Sequence, residues 1–202
     1  MKEDERFVDT GKFLSAFADE VWVRCASCNT AGVVTAHWIP YEWVANFDCR
    51  HCRLSLASEK KDWLGAMRWT GRQPCGHCGH KWVGRSIDFD APPKNPPDEL
   101  PAKCPECDHQ TMVKLTSNSL VREGLACDPH FGLPLQLTTD TKHGVVWAYN
   151  MKHVAELSAY VKAKLRIRQN SAHRALLSRL PKWMKLAKHR DEIAKALDKI
   201  AT

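Results

Sequence analysis

Four Cys-x-x-Cys pairs, Cys25/Cys28, Cys49/Cys52, Cys75/Cys78 and Cys104/Cys107, take up eight of the nine cysteines and are spread through the first half of the chain. A two-residue gap lets both thiolates of a knuckle turn toward one cation, and two such pairs complete a tetrahedral four-sulfur set. A disulfide framework has no reason to repeat one short spacing four times, and a reducing compartment suits metal better than disulfides. The pairs predict two structural zinc ions on Cys25, Cys28, Cys49, Cys52, Cys75, Cys78, Cys104 and Cys107. Small folds of this kind depend on the metal for stability, since each buries little apolar surface.

Spacing leaves the pairing of knuckles open. Sequential pairing makes two zinc ribbons, whereas a cross-brace joins the first knuckle to the third. Twenty residues separate Cys28 from Cys49, enough for a β-hairpin with a loose turn at Ile39-Pro40-Tyr41, and the 22 residues from Cys52 to Cys75 read as a linker. Both features favour sequential pairing. His51, His77, His80 and His109 lie close to cysteines, but four thiolates per site are already at hand, so these histidines are read as supporting or solvent-facing residues.

Short strands are expected on either side of the knuckles: 21–24, 43–47, 81–87 and 111–115. Residues 62–69 are too short a run to assign to helix or strand. Four prolines make 91–97 an extended loop. Farther on, 135–139 and 145–149 read as a hairpin, and Asn150 is placed to cap a helix in which Val154, Leu157, Val161 and Leu165 form an apolar stripe. A second helix is expected from Pro181, with Trp183, Leu186, Ile193, Leu197 and Ile200 on its apolar side. The eight tryptophans, Trp22, Trp38 and Trp82 among them, are read mainly as core anchors in place of a larger core.

Charge is distributed unevenly. Residues 150–202 carry 13 Lys/Arg against 4 Asp/Glu, a net +9, while residues 1–149 carry 17 against 19, a net −2. Each filled four-cysteine site adds −2, so the positive potential belongs to the C-terminal segment. There Lys162, Lys164, Arg166, Arg168, Arg174, Arg179, Lys182, Lys185, Lys188 and Arg190 follow one another with no acidic residue between them. Solvated helix faces normally mix signs, so this run points to a polyanion.

Catalytic signatures are missing from the sequence. There is no GxxxxGK[ST] phosphate loop, no HExxH and no GxSxG. Pro74–Cys78 matches half of the nucleobase-deaminase pattern, but His37 and His51 lack the glutamate two residues on. Two closed four-cysteine sites leave no open coordination position. Cys127, beside Asp128 and near His130, is read as a small buried apolar residue.

The stretches Asp128-Pro129-His130-Phe131-Gly132-Leu133-Pro134-Leu135, Trp147-Ala148-Tyr149-Asn150 and Ser178-Arg179-Leu180-Pro181-Lys182-Trp183-Met184-Lys185 resemble an uncharacterised bacterial family of multi-zinc-ribbon proteins. Its ribbons are loosely like those of transcription factors and of a replication-restart helicase. The resemblance covers roughly the last 75 residues and the CxxC layout ahead of them, and implies a fold more than an activity.

The expected architecture is a small zinc-stabilised α+β protein: an N-terminal segment (1–21), zinc ribbon 1 (22–56), a connector (57–71), zinc ribbon 2 (72–115), and a β-hairpin with a basic two-helix region (116–202). The expected function is non-enzymatic binding of DNA or RNA through the ten basic residues above. The alternative is an adaptor whose ribbons dock on a larger nucleic-acid-processing or defence complex. Neither a membrane nor a small-molecule substrate is expected: no apolar run approaches ~18 residues. Met1–Arg6 leads into a charged segment with no apolar leader, so a cytoplasmic location is expected.

Overall fold

The computed structural model describes residues 6–9, 11–120, 125–168 and 175–202, without the side chain of Arg168. It is an α+β protein of many short strands and few helices that divides into two compact units, Met1–Asp62 with Gly124–Thr202, and Trp63–Glu123. The expected serial layout therefore becomes an insertion: the N-terminal segment, the first pair of knuckles and the C-terminal region share one unit, and the second pair of knuckles sits in the other. Among the described residues no helix is long and apolar enough to cross a membrane.

The first unit is built on an antiparallel sheet of β2 (Glu20–Arg24), β3 (Ala31–Ile39), β4 (Glu42–Asp48) and β5 (Ser55–Ala57), in that order. Strict alternation buries Val21 and Val23 in β2 and Ala45 and Phe47 in β4. β3 and β4 are joined by Pro40 and Tyr41 alone, a tighter link than expected, with Tyr41 at φ 72. On the outer edge of β2, Trp22 N–H donates to the Tyr149 carbonyl (2.7 Å), Gln136 N–H to the Trp22 carbonyl (2.9 Å) and Arg24 N–H to the Pro134 carbonyl (2.8 Å). Residues 134–149 thus satisfy an edge that would otherwise be open. The buried Asp128 carboxylate shapes the preceding loop by accepting the N–H groups of His130 (2.9 Å), Phe131 (3.0 Å) and Leu133 (2.5 Å).

The C-terminal hairpin is shorter than expected, β11 (Thr138–Thr141) and β12 (Gly144–Trp147). Helix α1 (Met151–Lys162) begins where the sequence places it: Asn150 Oδ1 accepts the N–H of His153 at 3.0 Å. The buried Asn150 amide also donates to the carbonyls of Phe17 (3.0 Å) and Glu20 (2.6 Å), tying the helix to the N-terminal segment. Val154, Leu157 and Val161 are buried as predicted, but Leu165 is not on the helix. Ala163 turns to extended backbone (ψ 132), and β13 (Leu165–Arg168) pairs in parallel with β1 (Arg6–Asp9), leaving Leu165 exposed. The expected second helix is likewise broken, into α2 (Leu176–Arg179), α3 (Lys182–Lys185) and α4 (Arg190–Ile200). Only α4 is long, and it buries Ile193 and Leu197.

In the second unit, β6 (Met67–Gln73) pairs with β7 (Val83–Phe89) and with β10 (Thr116–Ser119), while β8 (Glu99–Lys103) pairs with β9 (Gln110–Lys114). The unassigned run 62–69 and the connector thus lead into the first strand of this unit. Its small core is Cys75, Val83, Ala102, Cys104 and Val113. Gly71 lets β6 cross β9 closely, since a Cβ there would lie 1.9 Å from the Lys114 carbonyl oxygen.

Candidate metal centres

All four knuckles have the same backbone. The first cysteine's N–H donates to the carbonyl five residues on: Cys25 to Thr30 (2.9 Å), Cys49 to Leu54 (2.8 Å), Cys75 to His80 (2.8 Å) and Cys104 to His109 (3.0 Å). Its carbonyl accepts the N–H of the residue after the second cysteine: Asn29, Arg53, Gly79 and Asp108. Those four residues stand at φ 59, 62, 72 and 55. The left-handed residue folds the chain back so that both sulfurs of a pair face the same point. Only Gly79 is the glycine this position prefers.

The knuckles come together sequentially: β3–β4 pairing sets the first beside the second, and the third and fourth, at the turns of the separate β6–β7 and β8–β9 hairpins, converge by packing. Cys25, Cys28, Cys49 and Cys52 form one group and Cys75, Cys78, Cys104 and Cys107 the other, each with its sulfurs within 4.8 Å of one another. Among these, Cys25–Cys52 and Cys28–Cys49 are 3.5 Å apart, Cys75–Cys107 3.7 Å and Cys78–Cys104 3.6 Å. Four sulfurs at ~2.3 Å from a central ion would stand about 3.8 Å apart, whereas a disulfide requires about 2.05 Å. The spacing is that of a ligand cage for one metal ion in each unit.

Within each cage the thiols differ. Cys28 is held down to about 5, chiefly by the Thr30 hydroxyl (3.3 Å) and then the Thr30 N–H, while burial pushes Cys25 up to about 11. Cys75 is lowered to about 6 by the N–H groups of Cys78 and His77. In Cys107 the His109 N–H works downward, but burial and the other three thiols prevail and raise it to about 12. Each cage therefore offers a thiolate at neutral pH and needs a cation to ionise the rest. No histidine belongs to either group among the described residues. His77 and His109 stack on one another (5.2 Å) at the exposed side of the second cage.

The ten basic residues predicted to meet nucleic acid are dispersed. Lys162 pairs with Asp198 at 2.8 Å. Arg166 donates to the carbonyls of Tyr160 (3.1 Å), Val161 (3.4 Å) and Lys185 (2.9 Å), and Lys185 Nζ to Ser178 O (2.6 Å). These two cations close the ends of short helices. Arg168 lies opposite Asp9 in the β1–β13 register, Arg174 falls outside the described residues, and Arg190 is half-buried. Lys164, Arg179, Lys182 and Lys188 are exposed. Lys164, Arg166 and Arg168 lie beyond helix α1, which ends at Lys162, so they do not share a helix face with it.

Cys127 is half-buried rather than buried as expected, and burial and then Asp128 push its thiol upward; the nearby His130 Nε2 is bonded to the Ala18 carbonyl (2.8 Å). Two tryptophans depart from the core reading: Trp38 is 58% and Trp82 54% exposed. Comparison with known proteins finds no matching family model, no matching curated protein and no matching solved structure. The resemblance of the C-terminal motifs thus identifies no family.

Proposed function

We propose that the protein is a non-enzymatic, zinc-stabilised nucleic-acid-binding protein, its two four-cysteine cages each a zinc ribbon and its C-terminal region the phosphate contact. Four-sulfur tetrahedral sites suit zinc, and a closed set of thiolates serves folding rather than chemistry. The observation that carries the nucleic-acid reading is the placement of Arg179, Lys182 and Lys188. They are exposed in successive short helical turns, on a stretch from Leu176 to Arg190 that contains no acidic residue. Lys164 adds an exposed cation beside β13. Such a surface neutralises phosphates without reading bases, so affinity should depend steeply on salt and weakly on sequence.

The test is a titration of labelled duplex DNA and of RNA at several salt concentrations. Four phosphate contacts give a log–log slope of about −3 to −4 on duplex DNA. Lys182→Gln and Lys188→Gln together should flatten it with melting nearly unchanged, and absence of binding at low salt removes the reading.

A second reading, a protein adaptor, is favoured by the β3–β4 hairpin. From Cys25 to Cys49 there is no Lys or Arg, and its tip presents Trp38 (58% exposed), Ile39 (38%) and Tyr41 (96%). Aromatic anchors without cations suit a protein pocket better than a phosphate backbone. Cytoplasmic location and bacterial origin belong to the same proposal.

A further inference from the structure

We propose that the β6–β7 hairpin of the second unit is a separate contact surface for single-stranded nucleic acid, with Trp82 as the stacking platform and Arg72 and Lys81 on the phosphates. The inference rests on the nucleic-acid reading above but on different residues. From Trp63 to Ile87 the chain holds four Lys/Arg and no Asp/Glu, a cationic stretch within the otherwise acidic first 149 residues. Arg68 is held by Asp88 in a two-point contact (2.6 and 2.8 Å). Arg72 and Lys81 are exposed, and the Lys81 ammonium sits 5.3 Å from the centre of the Trp82 ring, whereas Arg85, opposite Gly71, belongs to the other face of the ladder.

Trp82 is placed by the knuckle rather than by a core: it follows Cys78 by four residues, just ahead of β7. The neighbouring face carries no apolar side chain. Register sets Arg72 opposite Gly84, Thr70 opposite Ser86 and Thr116 opposite Thr70. The Arg72 side chain runs across Gly84, whose missing Cβ would lie 3.4 Å from Arg72 Cγ. A protein partner would find one aromatic ring and little else to bury there, in contrast to the β3–β4 tip. A polyanion finds positive charge beside an open π-face. That face is useful only to an unpaired base, because bases in a duplex are already stacked.

The test uses the zinc-loaded full chain and fluorescein-labelled oligo(dT) and oligo(U), read by anisotropy and by quenching of tryptophan emission at low salt. Trp82→Ala should weaken oligomer binding about 5- to 100-fold, with Trp82→Phe retaining most of it. The double change Arg72→Gln and Lys81→Gln should reduce the salt slope by about 1 on single strands. Because all three residues are exposed, retained zinc reports that the variants fold. If wild type binds but both the Trp82→Ala and double variants bind equally well, the inference falls while the nucleic-acid reading stands on the C-terminal cations. Equal preference for duplex and single strand in wild type overturns the stacking role, and absence of binding by wild type removes both proposals.

Discussion

The Arg166 guanidinium lies 4.2 Å from the centre of the Tyr160 ring while bonding the carbonyl of that same residue at 3.1 Å. Tyr160 and Val161 belong to the last turn of α1, whose carbonyls have no helical partner, and Lys185 O ends α3 in the same way. A cation from β13 therefore terminates two helices at once. Arg166→Gln should lower stability by about 1–3 kcal/mol, since charge-assisted hydrogen bonds to half-buried carbonyls are lost. In thermal melts this is about 2–4 °C per kcal/mol for a chain of this size. The exposed Lys182→Gln should stay within about 0.5 kcal/mol. Equal melting of the two variants would contradict the clamp.

Metal analysis of protein purified without chelator should find two zinc ions per chain. Cys49→Ser and Cys104→Ser should each remove about one ion and unfold only the unit that holds it, because ~10 kcal/mol or more of metal binding is also folding free energy. Loss of both ions from either single change would count against sequential cages. Cys127→Ser should leave the content at two.

His153 is buried beneath Phe17, with which it stacks at 4.9 Å, and its Nδ1 accepts the Tyr149 N–H at 3.2 Å. Burial holds it down to about 3, against about 6.5 in an unfolded chain. The unfolded state thus binds the proton first, and stability is full above about pH 6.5 and declines as pH falls toward 3. Between pH 7 and pH 5 this amounts to about 2 kcal/mol. His153→Gln, which retains an acceptor, should flatten that part of the profile relative to wild type in parallel melts. Identical slopes would show that another group carries the dependence.

Two backbone positions give opposite signs. Arg53→Gly should stabilise by up to about 1 kcal/mol, because a left-handed conformation strains an L side chain by more than glycine's added chain entropy costs. Gly71→Ala should destabilise by about 3 kcal/mol, since its Cβ would overlap the Lys114 carbonyl 1.9 Å away and backbone must move. Denaturant midpoints read both effects.

Sequence alone determined the four cysteine knuckles, because a Cys-x-x-Cys knuckle is a local structure whose ligands are fixed within four residues. The Asn150 cap and the buried Val154, Leu157 and Val161 stripe were legible for the same reason: capping and periodicity act over one or two turns. Sequential pairing of the knuckles was favoured by insert lengths and decided by the strands that bring their sulfurs together. What only the tertiary structure decided depends on contacts between distant segments. Leu165 matches the helical period, yet its stretch leaves the helix to pair with Arg6–Asp9, more than 150 residues away in the chain. Arg166 and Lys185 look like any other cations in a basic run, and only the positions of Tyr160, Val161 and Ser178 carbonyls turn them inward. Trp38 and Trp82 carry no local mark of exposure, since a ring is buried or presented according to which surface the folded chain happens to bring across it.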